Sequence, residues 1–83
     1  MARYTVLLFP EEGSYSVLVP VLDNLATQGQ TVEEALNMAR EAIELYLEGL
    51  RARGEYVSIE ETPPIVTSVE VELAVEDRVV HAG

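Results

Sequence analysis

Residues 27–50, TQGQTVEEALNMAREAIELYLEGL, decide the fold. Thr31 has N-cap chemistry: its hydroxyl can accept from the N–H of the third helical residue. Glu34 stands where a carboxylate can reach back to the Thr31 N–H, which makes a T-x-x-E capping box. Gly29 supplies a tight turn into the cap. From there Ala35, Leu36, Ala39, Ala42, Ile43, Tyr46, Leu47 and Leu50 recur at three- and four-residue steps, the period of one helical face. Glu33, Asn37, Arg40, Glu41, Glu44, Glu48 and Arg51 take the opposite side. Gly54 follows Arg51 and Arg53, a stop preceded by cations. The spacing predicts a helix over 32–53 of about six turns. Its single apolar face must lie on the rest of the chain.

That platform precedes the helix. Residues 3–9, RYTVLLF, are β-branched and aromatic and read as a first strand. Pro10, Glu11, Glu12 and Gly13 have turn chemistry. Residues 14–19, SYSVLV, make a second strand, with Tyr15, Val17 and Val19 on one face and Ser14, Ser16 and Leu18 on the other. Pro20 cannot donate to a ladder and marks that strand's end. Asp23-Asn24 reads as a turn, and Leu25–Gln28 as a short third strand. After the helix, the connector 54–64, GEYVSIEETPP, carries two prolines. A last strand is expected over 65–75, where Val69, Val71, Leu73 and Val75 alternate with Glu70, Glu72 and Ala74. Residues 76–83 form a tail. The expected fold is α+β, in the order β-β-β-α-β: a meander over 3–30, a helix on one face of a small antiparallel sheet, and a final strand adding to an edge. That edge belongs either to its own subunit or to a neighbour, and the stiff Pro63-Pro64 pair favours the longer reach.

Eighty-three residues make one domain, and a chain of this size buries only about 60–65% of the surface its unfolded form exposes. A helix on a three-stranded sheet is a thin core, so association with copies of itself is expected. No cysteine is present, which removes disulfides and thiolate metal sites. No apolar run approaches the roughly 18–20 residues of a membrane span, and the N-terminus lacks a signal-peptide pattern; a cytoplasmic location is expected. Fifteen acids against five bases, all arginine, give a formal charge of −10. Phosphate contacts need a cationic surface, so direct nucleic-acid binding is not expected. A basic protein partner suits this charge, although acids also simply keep a small protein in solution.

Catalytic chemistry is sparse. His81, the single histidine, lies near the end of the sequence, without the fixed geometry or partner that a general base needs. Glu11/Glu12, Glu33/Glu34, Glu60/Glu61 and Glu76/Asp77 are adjacent pairs, which diverge on a strand or helix instead of chelating. Glu70 and Glu72 share a strand face, where they read as a solvated, aggregation-blocking edge. Glu33 and Glu34 answer the positive end of the helix dipole. Tyr4, Tyr15 and Tyr46 read as half-buried aromatics with polar tips. No glycine-rich loop or helix-opening lysine marks a phosphate site. No metal, cofactor or catalytic residue is expected.

Taken in order, YTVLLFPEEGSYSVLVP at 4–20, TQGQTVEEAL at 27–36 and AREAIELYLE at 39–48 resemble the HicB-type antitoxin N-terminal domain. The resemblance covers about residues 3–60, and it is the succession of motifs that makes it specific. The usual P-D-L-P-G after the second strand is replaced here by Pro20-Val21-Leu22-Asp23-Asn24. It implies a reduced ribonuclease H-like module that forms dimers or larger assemblies and masks the active site of a small toxin ribonuclease. Family members commonly add a C-terminal DNA-binding segment; here the residues after Glu60 read as a strand, so a stand-alone member is expected. A working ribonuclease H-like nuclease converges several carboxylates on paired metal ions, starting in the first strand, and Tyr4–Phe9 contains none. The leading expectation is therefore a non-catalytic, antitoxin-like protein occluding a small, basic, RNA-cleaving toxin. Glu11, Glu12, Tyr15, Asp23 and Asn24 are its expected partner-binding residues. The alternatives are a homo-oligomeric structural or regulatory protein without a toxin and, further off, a residual metal-dependent nuclease.

Overall fold

The structure is a computed structural model and describes residues 1–73. Three antiparallel strands, β1 (Leu7–Glu11), β2 (Ser14–Val19) and β3 (Leu25–Gly29), lie in the order β1-β2-β3. They are followed by one helix, α1 (Val32–Ala52). This is the expected α+β arrangement of a meander and a covering helix.

β1 sits further along the chain than its composition predicts. Leu7 pairs with Leu18 and Glu11 with Ser14, so the ladder runs through Pro10 and the turn shrinks to Glu12-Gly13, with Gly13 at φ 76°. Pro10 is tolerated because β1 is an edge strand. At its other end β1 stops one residue before β2 does: Leu7 pairs with Leu18, and Val6, opposite Val19, is not part of the ladder. The same register would set Thr5 opposite Pro20, where the chain turns into a 3₁₀ segment, Pro20–Leu22, so the ladder cannot continue over residues 3–5. The connector replaces it: Glu60 Oε1 accepts from the Thr5 N–H at 2.6 Å, and the Tyr4 hydroxyl donates to the Ser58 carbonyl.

The alternation of β2 is as expected. Val17 and Val19 are buried and Tyr15 is half-buried. Val17, Ala35 and Ala39 form the centre of the core, with Val6, Leu8 and Tyr15 packed around them. Leu22 and Leu50 are buried as well. α1 lies chiefly over β3 and β2. Of the expected apolar stripe, Ala35, Ala39 and Leu50 are fully covered, Ala42, Ile43, Tyr46 and Leu47 partly so, and Leu36 is 46% exposed. Leu36 lies about 100° round the helix from Ala35, and a three-stranded sheet is too narrow to cover both flanks.

Both helix ends are closed by specific hydrogen bonds. Thr31 Oγ1 accepts from the Glu34 N–H at 3.0 Å, as expected for the cap. The return arm differs: Glu34 Oε1 accepts from the Gln30 N–H at 2.8 Å, one residue before the cap. At the C-terminus Gly54, at φ 71°, donates to Arg51 O and Glu55 donates to Leu50 O, the paired bonds of a Schellman motif.

Gly29 does something other than make a turn. It is the buried last residue of β3, and a Cβ built on it would meet Ala35 N at 2.5 Å and Ala35 Cα at 2.7 Å. The helix backbone rests directly on it. Gly29→Ala should therefore cost about 1–3 kcal/mol, the range for overpacking a tight contact, read as a lower denaturation midpoint with the slope unchanged; an unaltered midpoint would refute the contact.

The turn into β3 is tied to the helix. Asp23 and Asn24 both take left-handed backbone, at φ 56° and 55°, and Asp23 Oδ2 accepts from the Tyr46 hydroxyl at 3.1 Å. This hydrogen bond, more than partial burial, holds the Tyr46 phenol above its ordinary value. A group raised on folding stabilises the folded state fully below its unfolded pKa, here about 10, and loses that contribution as pH climbs through the raised value. Asp23→Asn keeps a residue that accepts left-handed backbone and removes the charge. It should bring the Tyr46 titration down towards the ordinary value, followed by phenolate absorbance with Tyr46→Phe as the assignment control. Superimposable curves would exclude the coupling.

Residues 65–73 join no strand among the described residues. Residues 74–75 of the expected final strand, and the 76–83 tail with His81, lie outside the described residues.

Candidate partner-binding surface

The five expected partner-binding residues fall at the two ends of β2. The first group is the hairpin tip. Glu11 ends β1 and its Oε1 accepts from Ser16 Oγ at 2.8 Å, which fixes one carboxylate oxygen and leaves the group exposed. Glu12 occupies the turn, exposed and without a hydrogen-bond or ion-pair partner among the described residues. Tyr15 is opposite Pro10 in the ladder but belongs to the helix-facing side, packed on the core, so only part of it is presented to a partner. The second group, Asp23 and Asn24, lies beyond the other end of β2, after the 3₁₀ segment. Both are exposed, and Asp23 already serves Tyr46. Six strand residues, about 20 Å at strand rise, separate the groups. They are two surfaces, not one.

The outer side of α1 supplies further acid. Glu33, Glu41, Glu44 and Glu48 are exposed along it, with Arg40 turned to Asn37 at 3.3 Å. Among the described residues no three His, Asp or Glu side chains cluster as a metal ion would require. Glu11, brought into β1 by the register, meets Ser16 and not a further carboxylate. Two open grooves flank the connector. One lies between Pro20, Val21, Ile59–Thr62 and Pro64, the other among Arg3–Val6, Glu60 and Pro63. Neither encloses a small molecule.

A second kind of surface was not among the expected binding residues. Cross-strand partners share a face, so Leu7, Phe9, Leu18 and Ala26 lie on the side of the sheet away from the helix. Phe9 is 48% exposed there. Ile65, Val66, Val69, Val71 and Leu73 are 63–89% exposed. The odd-numbered apolar positions of β1 and of residues 69–73 were the sequence signal for both. No described helix is long and apolar enough to cross a membrane.

Comparison with known proteins accords with this architecture. A family model described as the HicB-like antitoxin of bacterial toxin–antitoxin systems matches residues 4–80. A UPF0150 protein of Synechocystis is 46% identical over 60 residues, covering 71% of this chain and 76% of its own. One from Thermoplasma acidophilum is 43% identical over 56 residues, 66% of this chain and 81% of its own. One from Helicobacter pylori is 36% identical over 64 residues, 77% of this chain and 88% of its own. No solved structure matches the chain. On the span of the family match and the identity of these relatives, the chain belongs to the HicB-like antitoxin family.

Proposed function

We propose that the protein is a non-catalytic antitoxin that binds a small, basic, RNA-cleaving toxin and blocks access to its active site. The observation that carries this reading is the hairpin tip: Glu11 and Glu12 stand exposed at the end of a rigid two-stranded ladder, on a chain of formal charge −10. A short projecting acidic loop suits a cationic, RNA-binding cleft, because the groups that would hold phosphates there accept carboxylates equally well. The acidic outer side of α1 extends the attractive field beyond the contact and raises the encounter rate. Occlusion needs no chemistry from the antitoxin, only a fixed shape, and the capped helix on its sheet provides one. Asp23 and Asn24 form a second, independent contact region of lower reach, since Asp23 is held by Tyr46. The setting is the cytoplasm, where such a toxin meets its RNA.

The exposed apolar residues of 65–73 favour a second reading, a self-associating regulator without a toxin. Co-expression with the product of a neighbouring short reading frame that encodes a basic protein separates the two. Stoichiometric co-purification and loss of RNA cleavage support the antitoxin, and a chain that ignores every such product supports the alternative.

Within the antitoxin reading, Glu11→Lys with Glu12→Lys should slow toxin association about tenfold or more at low ionic strength. The difference should shrink near 1 M salt, where the Debye length is about 3 Å. Stopped-flow association rates test it; rates equal to the parent's at low salt would remove the tip from the interface.

A further inference from the structure

We infer that the flank of α1 that projects past β3 is a docking surface for a basic amphipathic helix of a partner protein. The inference rests on the antitoxin reading only for the source of that helix, the toxin, and it adds a contact that the hairpin tip does not supply.

The flank is defined by contacts on either side of it. At 100° per residue, Met38, Ala42, Leu45 and Gly49 fall within about 60° of arc on α1. Ala35 lies on Gly29 at the end of β3, and Tyr46 bonds Asp23 in the turn before it, so both mark the β3 side of the helix. The four residues follow one step further round, lateral to the sheet and beyond its β3 edge. That edge makes no further backbone ladder among the described residues. Leu45 is 71% exposed and Met38 37%, while Ala42 and Gly49 are half-buried. Large and small side chains thus alternate at steps of four, three and four residues, the spacing of a two-helix seam. Alanine and glycine let a second backbone approach, and Met38 and Leu45 close over it.

The rim of the seam selects the occupant. Glu34, Glu41 and Glu48 recur every seven residues along its outer side, all exposed, and drift by only about 20° per step. Glu34 gives one oxygen to the Gln30 N–H. Glu41 and Glu48 have no hydrogen-bond or ion-pair partner among the described residues. The arginines of α1 lie further round the helix, Arg40 turned to Asn37. Arg53, just past its end, reaches over Gly49, with Nη1 3.3 Å from where a Cβ would stand, and is paired with Glu55 at 2.6 Å.

These charges argue against a second copy as the occupant. An antiparallel copy would set the glutamate line against its own, and like charges across a helix pair are destabilising. A parallel copy would bring it to the side of Tyr46, Asp23 and Arg53, whose one cation Glu55 already holds. A helix that carries lysine or arginine beside its own apolar seam meets Glu41 and Glu48 with opposite charge. The seam then supplies the hold, and the charges set partner and register.

The probe is a synthetic peptide of about three heptads, with leucine and alanine alternating in its seam and lysine on both sides. Added to the full isotope-labelled chain, it should shift the amide resonances of Met38–Ala52 and leave those of the hairpin tip in place. A scrambled peptide of identical composition should bind about tenfold more weakly, the loss expected when apolar anchors no longer align. Leu45→Gln should weaken the ordered peptide by a similar factor without affecting the scrambled one. Glutamine is a good helix former, so the denaturation midpoint and the size in solution should match the parent's. Glu41→Lys with Glu48→Lys should weaken binding at low salt, and the difference should fade near 1 M.

Equal affinity for the two peptides, or shifts centred on the hairpin tip, would overturn the inference by reducing the flank to part of a general negative field. A lower midpoint for Leu45→Gln would assign the flank to another part of this chain, and a smaller assembly would assign it to a second copy; either overturns it too. The co-expressed basic product separates this contact from the reading it deepens. A product held alike by the parent and Leu45→Gln refutes the contact and keeps the antitoxin. A flank that takes the ordered peptide while no such product is held keeps the contact and refutes the antitoxin.

Discussion

The contact between the last residue of β3 and the first turn of α1 is the constraint on which the remaining architecture depends. At Gly29 the helix backbone lies where any side chain would stand, with Ala35 N 2.5 Å from the position of a Cβ. So close an approach dictates what faces the sheet nearby. Ala35 and Ala39 are the residues against Val17 because nothing larger fits between backbone and strand. Thr31 and Glu34 then fix the direction in which the helix leaves, through their bonds to the Glu34 and Gln30 N–H groups. Leu36 and Leu45 are left on the flanks, 46% and 71% exposed.

A core centred on two alanines and one valine is small, and the molecule compensates with polar fastenings at its margins. Tyr46 binds Asp23 across the turn into β3. Tyr4 and Thr5 hold the connector against the start of β1. The Schellman bonds close the helix before the chain turns back. Each satisfies backbone or side-chain groups that the short sheet leaves over. The surface that results is divided by chemistry: carboxylates on the hairpin tip and outer helix, aliphatic groups on the far side of the sheet and along 65–73. Such a division suits a protein whose work is recognition.

Much of this was legible in the residues. The 3.6-residue period of 35–50 located α1 to within one residue of its end, and the two-residue period of Tyr15, Val17 and Val19 gave the buried side of β2 correctly. Local chemistry failed where pairing decides. The span of β1 is set by its register with β2, which Pro20 truncates, and no property of residues 3–6 reveals that truncation. Gly29 read as a turn residue because its reason for being glycine lies six residues later in the chain. The return arm of the cap chose Gln30 over Thr31, a difference of one backbone N–H that spacing alone does not resolve. The expected binding residues rest on charge and turn chemistry, which mark exposure well but say nothing of which exposed groups lie together; Glu12 and Asp23 were therefore grouped although β2 separates them.

The topology carries a consequence for the order of events during synthesis. Every element of β1-β2-β3-α1 packs on one that is near it in the chain, the wiring of low contact order that favours rapid folding. The body therefore has its partners in hand once the helix clears the ribosome, while Ile65 and the residues after it are still to come. A nascent chain of this design reaches its shape alone and meets other molecules afterwards, so the supply of folded bodies depends on translation and their assembly on concentration.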